Sequence, residues 1–523
     1  MLSACFRIGN RPMSHLLYIL LALVAGAALS YWRGPDIMWD LQNYHFYIPH
    51  ALLEGTLWTD LFVAGLQSYI NPLPDLPHYL LTKYSGLTAA TLYQGLWFGA
   101  LGYLCWRVNV FLAMQVTPQG FGARVLLPAA ATALSLTGVA SVAQIGMTSN
   151  EVQVAAFVIA GLLCALHAIE SPRPYLWHLA CGAAAGAATG LKFTAATYVV
   201  ALFAATIASL GFRRAGPALL WILAGTAAGF LLTYGWWGWL LNQRFGSPLF
   251  PFYNGLFRSE WFELNNFKDP HWGAKNPADM ILIPFSLATE AGYRVSEMLA
   301  RDPRIILGLA GAVAAIAFGV VRKRLRPAFR LVLIFFLVGY FVWIVQFGII
   351  RYAVPLEVGA AGSILTVLAI ASGGHRTSWG WAAGACLVAV FCAVQAWTVY
   401  PDFGHLPRGT EQYVNARVAI PPNSLLLVNE LPLGLFAAHV ETQGSVLAGL
   451  NYATISGSPR ARAELDNLLL RYRGSTWVLS RPSTTTAAKY LTRLGLDLAE
   501  QDCKEMTGPG IYEPDPVSVC PVR

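Results

Sequence analysis

The chain has 523 residues, 56% hydrophobic and 12% charged, with a formal charge of +8 and a mean hydropathy of +0.51. A soluble domain carries about 25% charged residues, so a soluble core, a disordered tail and a disulfide-stapled secreted module are excluded. In so apolar a chain a basic excess reads as an orientation signal, and nucleic acid is not an expected partner.

Apolar segments at roughly 13–31, 86–106, 123–141, 151–169, 175–190, 194–210, 217–241, 304–321, 330–350, 353–371 and 379–398 predict about eleven transmembrane helices. The first follows Arg7 and Arg11 and ends Ala28-Leu29-Ser30-Tyr31-Trp32 without a clean small-x-small site, which predicts an uncleaved anchor. With the N-terminus inside, the inside loops collect Arg107, Arg124, Arg173, Arg213, Arg214, the run Arg322-Lys323-Arg324, Arg326, Arg330 and Arg376. The short outside connections hold little beyond Lys192 and Arg351, and shifting the frame by one span inverts the pattern. Before residue 400 the acidic residues sort to the outside, chiefly into loops 32–85 and 242–303, with Glu170 inside and Glu357 within a span. Loops of that length are usually functional.

The first outer loop contains Asp36 and Asp40. Read as a helix on the membrane surface, Asp40, Tyr44, Tyr47 and Ala51 share one face. Asp40 then stands near a helix N-terminus, where a carboxylate either caps the first turn or serves as a base. The series Gly182/Gly186/Gly190 and Gly225-x3-Gly229 predicts close helix packing. Trp236-Trp237-Gly-Trp239 reads as an interfacial aromatic belt, with sugar stacking as the alternative. Lys192 and Arg351 at outer span ends are either snorkelling, topology-setting charges or anion ligands. His45, His50, His78 and His271 lie in the outer loops without metal-ligand spacing, so no metal site is assigned. No nucleotide-binding loop or nucleophile elbow occurs in a credible context.

From about residue 400 the composition turns polar and no spanning run remains. Leu425–Val428 and Thr476–Leu479 read as short buried strands, and Pro459–Arg471 as an amphipathic helix using Ala463, Leu465 and Leu468–Leu470. This predicts a small α/β domain at 401–523 on the outer face. Cys503 and Cys520 fall there, where an oxidising compartment permits a bridge between them.

An ordered series of motifs then resembles the polyprenyl-phosphate-sugar-dependent glycosyltransferases of the GT-C class. It begins with a single span and an Asp-x3-Tyr helix closed by Leu52-Leu53-Glu54-Gly55. Asn71-Pro-Leu-Pro-Asp75-Leu-Pro-His78-Tyr79 is similar to that class's Pro/Tyr segment before the second span. Gly190-Leu-Lys192-Phe-Thr, the loop Asn242–Ser259 with Phe245 to Asn254, and Arg351-Tyr352-x-x-Pro355 follow in order. The resemblance covers roughly residues 13–400. It implies an acidic base in the first outer loop, Asp40 with Asp36 second, and donor-phosphate binding by Lys192 and Arg351. Tyr44, Tyr352, Asn254, Asp75 and His78 would complete the substrate site. One departure stands out: the first loop has no Asp-x-Asp, so metal-dependent oligosaccharyl transfer is not supported and no cofactor is assigned.

The expectation is therefore a polytopic α-helical membrane protein with a GT-C-like catalytic module at 1–400 and an outer α/β domain at 401–523. It would sit in a bacterial inner membrane, N-terminus cytoplasmic, and move a sugar from a polyprenyl-phosphate donor to an acceptor hydroxyl, with inversion. Its partners would be the lipid-linked donor, membrane lipid and an acceptor glycan, lipid or protein. A transporter or flippase of lipid-linked glycans, and a non-catalytic subunit of a glycan assembly complex, are the alternatives. Transporters usually bind near the bilayer midplane, whereas here ionisable residues avoid mid-span positions except Glu357.

Overall fold

The computed structural model describes residues 12–116, 125–266, 269, 271–321, 325–371, 378–450, 458–481, 492, 497–508 and 515–522. Arg7, Arg11, Arg124, Arg322, Lys323, Arg324 and Arg376, which carried part of the expected charge asymmetry, lie outside the described residues. Among the described residues, six helices are long and apolar enough to cross a membrane: His15–Arg33, Leu87–Gln115, Glu151–Glu170, Phe193–Leu210, Phe212–Phe245 and Pro327–Gln346. The chain is an integral membrane protein. Further apolar helices at Pro174–Leu191, Arg304–Val321, Val354–Ala371 and Ser378–Trp397 pack among these six.

The glycine series explains the closest contact in the bundle. A Cβ on Gly182 or Gly186 would strike the carbonyls of Ile222 and Thr226, and one on Gly225 or Gly229 those of Leu179 and Ala183. The helices Pro174–Leu191 and Phe212–Phe230 therefore meet backbone to backbone, as the spacing predicted.

The 123–141 segment departs from expectation. Its helix, Leu127–Leu136, is about 15 Å long, roughly half a bilayer core, and a short second helix runs Val139–Ala143. Two acids hold the break open. The Glu357 carboxylate accepts the amides of Ala140 (2.9 Å) and Ser141 (3.0 Å), and Asp302 accepts that of Val139 (2.9 Å). The fully buried Arg304 pairs with Asp302 at 2.8 Å and donates to the Leu134 carbonyl (2.8 Å) and the Thr137 hydroxyl (2.7 Å). Helix ends freed inside the bundle are thus satisfied by side chains. The mid-span carboxylate is structural.

One end of the bundle gathers Gln115, Glu170, Ser209, Arg326 and Arg330 through hydrogen bonds. At the other end, the loops and the C-terminal segment share one hydrophobic core, containing Leu41, Tyr47, Phe62, Tyr69, Trp237, Phe250, Leu426, Phe436 and Val478. The C-terminal segment builds a five-stranded sheet in the order Val446–Gly449, Leu425–Val428, Thr476–Ser480, Asp515–Pro521, Lys504–Gly508. The first three strands are parallel and the last two antiparallel to their neighbours. Leu61 of the first loop extends the sheet edge: its amide donates to the Leu447 carbonyl, and the Gly449 amide to the Leu61 carbonyl, both at 2.8 Å.

The helix Pro459–Arg471, capped by the Ser458 hydroxyl, buries Ala461, Leu465 and Leu468. Ala463, expected on the inner face, points to solvent because the i, i+4, i+7 stripe starts at Ala461. Cys503 and Cys520 are disulfide-bonded, with Cα atoms 4.1 Å apart. The tryptophan cluster divides. Trp236 and Trp239 are exposed as a belt would require, but Trp237 is fully buried and donates to the Tyr69 carbonyl at 3.0 Å.

Candidate active site

A cavity of ≈ 530 Å³ opens where loops 32–85 and 242–303 meet the ends of the long helices. Among the predicted residues, Asp40, Tyr44, Asp75, Lys192, Arg351 and Tyr352 all line it. They arrive from four segments: the first-loop turn at Asp40–His45, the start of Leu76–Ser85, the end of Pro174–Leu191 and the turn Ile350–Ala353.

Asp40 enters from the first loop. The surface helix forms, but Leu41–His45 is a π-helical turn before Tyr47–Leu53 continues as α-helix. The wider turn breaks the predicted register, and such turns are frequent at functional sites. Tyr44 stays beside Asp40, near enough to help lower its pKa. Tyr47 rotates into the core and donates to Asp60 Oδ2 at 2.7 Å. Asp40 does not cap its helix; its Oδ2 lies 2.7 Å from Arg351 Nη1.

Lys192 is placed by the glycine-packed helix that ends at Leu191. Asn71 ties two of the sequence motifs together there, donating to the carbonyls of Gly190 (2.8 Å) and Thr233 (3.0 Å). The Lys192 ammonium donates to the Ser149 carbonyl at 2.8 Å and pairs with Glu151 Oε1 at 2.5 Å. Arg351 sits in the turn Ile350–Ala353. The backbone beside it is held by Trp343, which donates to the Ile349 carbonyl at 2.8 Å, and Tyr198, which donates to that of Tyr352 at 2.5 Å. Its guanidinium also reaches Glu297 at 3.3 Å and approaches Glu151 at 4.0 Å. Both cations flank the Tyr352 ring, each 5.4 Å from its centroid.

Two cations and three carboxylates thus form one network. Glu297, from the second large loop, is its most exposed acid, at 35%. Burial pushes the Asp40 carboxyl up, but Arg351, His45, Lys192 and Tyr44 together hold it below the ordinary carboxylate value.

Three predicted residues are corrected. Asp36 does not line the cavity: Oδ1 accepts the Met38 amide (2.7 Å), and Oδ2 accepts the Thr148 amide (2.8 Å) and hydroxyl (2.6 Å). Burial raises its pKa against those hydrogen bonds. Its chemistry is spent on joining the loop to the segment before Glu151. His78 is buried against Tyr413 (3.2 Å) and Gln94 (3.4 Å), and burial pushes its pKa down to about 3. Asn254 is buried by its own turn, donating to the carbonyls of Ser259, Phe262 and Glu263, while Phe250, Phe252 and Tyr253 of the same loop reach the wall.

Sequence reading missed Glu297, His45 and Asn150 as wall residues, and Glu151 as the ion partner of Lys192. Only Glu151 left a signal, as an acid opening a long apolar run. Among the described residues, no group of three or more His, Cys, Asp or Glu is arranged to hold a metal ion.

No family model and no curated protein matches the sequence. Solved structures do match. ArnT from Cupriavidus metallidurans bound to undecaprenyl phosphate superposes with a TM-score of 0.51 at 14% identity, over 96% of this chain and 97% of that one. The same protein in the apo state gives 0.44 at 13% identity, over 96% and 97%. The apo Archaeoglobus fulgidus oligosaccharyltransferase gives 0.45 at 13% identity, over 88% and 69%. At such identities the likeness is one of fold alone.

Proposed function

We propose, on the GT-C fold and this cavity, that the protein transfers a sugar from a polyprenyl-phosphate donor to an acceptor hydroxyl at the outer membrane face. The carrying observation is the convergence of Asp40, Lys192 and Arg351, from three distant segments, on one cavity at the ends of the spans. In this reading the acceptor O–H loses its proton to Asp40 as its oxygen bonds the anomeric carbon with inversion. The bond from that carbon to the phosphate oxygen breaks, and its electron pair leaves on polyprenyl phosphate.

The phosphate gains charge through this step, so cations beside it stabilise the transition state more than the ground state. Arg351 and Lys192 supply that charge. Their partners in the structure are carboxylates, and the donor phosphate would take the place of the exposed Glu297 on Arg351. Tyr352, between the two cations, would pack beside the phosphate. The protein would lie in a bacterial inner membrane with its N-terminus in the cytoplasm and residues 401–523 outside.

The test uses purified full-length protein, radiolabelled polyprenyl-phosphate sugars and membrane acceptors. Label moving to an acceptor with release of polyprenyl phosphate supports the reading. Reconstituted vesicles that carry the donor across intact, with its glycosidic bond unbroken, would replace it with the transporter.

A further inference from the structure

His45, Asp75 and Asn150 line the cavity beside Asp40 and Tyr44, yet the transfer chemistry above does not use them. They come from the π-helical turn and from two helix N-termini. Asp75 precedes Leu76–Ser85 and Asn150 precedes Glu151–Glu170, both at the capping position, and neither side chain caps its helix. Instead they turn to one another. Asp75 Oδ1 accepts from Asn150 Nδ2 at 2.7 Å and pairs with His45 Nδ1 at 2.8 Å. Their side chains are almost wholly buried, with His45 and Asp75 at 4% and 3%. Three polar atoms of the cluster have no hydrogen-bond partner: His45 Nε2, Asp75 Oδ2 and Asn150 Oδ1.

Buried polar groups are nearly always paired, so three open valences in one cluster on a cavity wall call for a polar ligand. The carboxylate selects its chemistry. An anion would be repelled by Asp75, whereas a neutral hydroxyl can donate to Asp75 Oδ2 or Asn150 Oδ1 and exchange a hydrogen bond with His45 Nε2. We propose that His45, Asp75 and Asn150 form a subsite for adjacent hydroxyls of a sugar ring. It shares the cavity with Lys192 and Arg351. This rests on the glycosyl-transfer reading, because the sugar belongs either to the lipid-linked donor or to the acceptor.

The experiment measures binding of undecaprenyl phosphate and of a panel of undecaprenyl-phosphate hexoses to the full-length protein, then steady-state transfer. Asp75→Asn and His45→Gln keep the shape of the cluster, and unchanged thermal unfolding establishes that each variant is folded. A site built to hydrogen-bond hydroxyls loses discrimination strongly when its partners are removed. If the donor sugar occupies the subsite, both variants bind the preferred sugar-bearing lipid about tenfold or more weakly while undecaprenyl phosphate binds as to wild type. If the acceptor occupies it, binding of both lipids is unchanged and KM for the acceptor rises by a similar factor. Equal weakening of both lipids, or no change in binding or KM, overturns the subsite and leaves a structural cross-link. Arg351→Ala is the separate control: undecaprenyl phosphate binding that ignores it sinks the phosphate site, whatever the subsite variants do.

Discussion

At the scale of single residues the site turns on how Asp40 and Arg351 are shared. A general base contributes about 10² to 10⁴-fold, so Asp40→Asn should reduce kcat by that range without weakening donor binding. Arg351→Ala and Lys192→Ala should weaken donor binding and rate together, since a phosphate touches them before and during transfer. Titration of undecaprenyl phosphate alongside steady-state kinetics separates the two patterns; a donor-affinity loss in Asp40→Asn equal to its kcat loss would contradict the base assignment. Glu297 tests the carboxylate pairing of Arg351. An ion pair this exposed is worth about 1 kcal/mol or less, so Glu297→Gln should tighten undecaprenyl phosphate binding by up to about fivefold. Weaker binding would mean that Glu297 orients Arg351. The identity of Asp40 as a candidate was legible in the sequence, from its loop and its Tyr44 spacing. Its partner was not, because the two lie 311 positions apart.

At the scale of elements, the junction between first loop and sheet carries a titratable group. Asp60 accepts from the Leu447 amide at 2.9 Å and from Tyr47, and burial outweighs both bonds to lift it to about 6. Its unfolded value is about 3.9, so the folded state holds the proton more tightly. The stability this contributes is full below about pH 4 and lost as pH rises through 6. Thermal unfolding of detergent-solubilised protein between pH 4 and 7 should show that decline, and Asp60→Asn, which can keep both hydrogen bonds, should flatten it. A variant with the wild-type slope would assign the pH dependence elsewhere. The helices themselves were readable from apolar run length, and their close contact from the glycine spacing. The break at 137–138 was not, because it depends on Asp302 and Glu357, which reach it from distant parts of the chain.

At the scale of the whole molecule, the described residues of 401–523 share one core with the first loop and the helix Trp236–Phe245. Their strands share apolar packing with Leu41, Phe62 and Trp237, Leu61 joins their sheet edge, and a side chain at Gly434 would collide with the Asn43 carbonyl. We expect the isolated 401–523 fragment to lack a cooperative unfolding transition by circular dichroism; a sharp transition would make it an autonomous domain. Orientation is tested by reporter fusions after Arg214 and Arg326, expected inside, and after Tyr69, Asn266 and Asp466, expected outside. An inside signal at Asp466 would invert the placing of the cavity.

By itself the sequence determined that this protein lives in a membrane, where its six longest apolar helices lie and where two strands of its C-terminal sheet fall. Those properties are local: hydrophobic run length and residue periodicity act over one element at a time. The tertiary structure alone decided which charges meet. A π-helical turn kept Tyr44 beside Asp40 and sent Tyr47 away, two capping residues turned from their helices toward His45, and Glu151 and Glu297 took the cations. Each outcome depends on helix rotation to within a fraction of a turn, because an ion pair is made or lost over a few ångströms, and no local pattern in the chain encodes that angle.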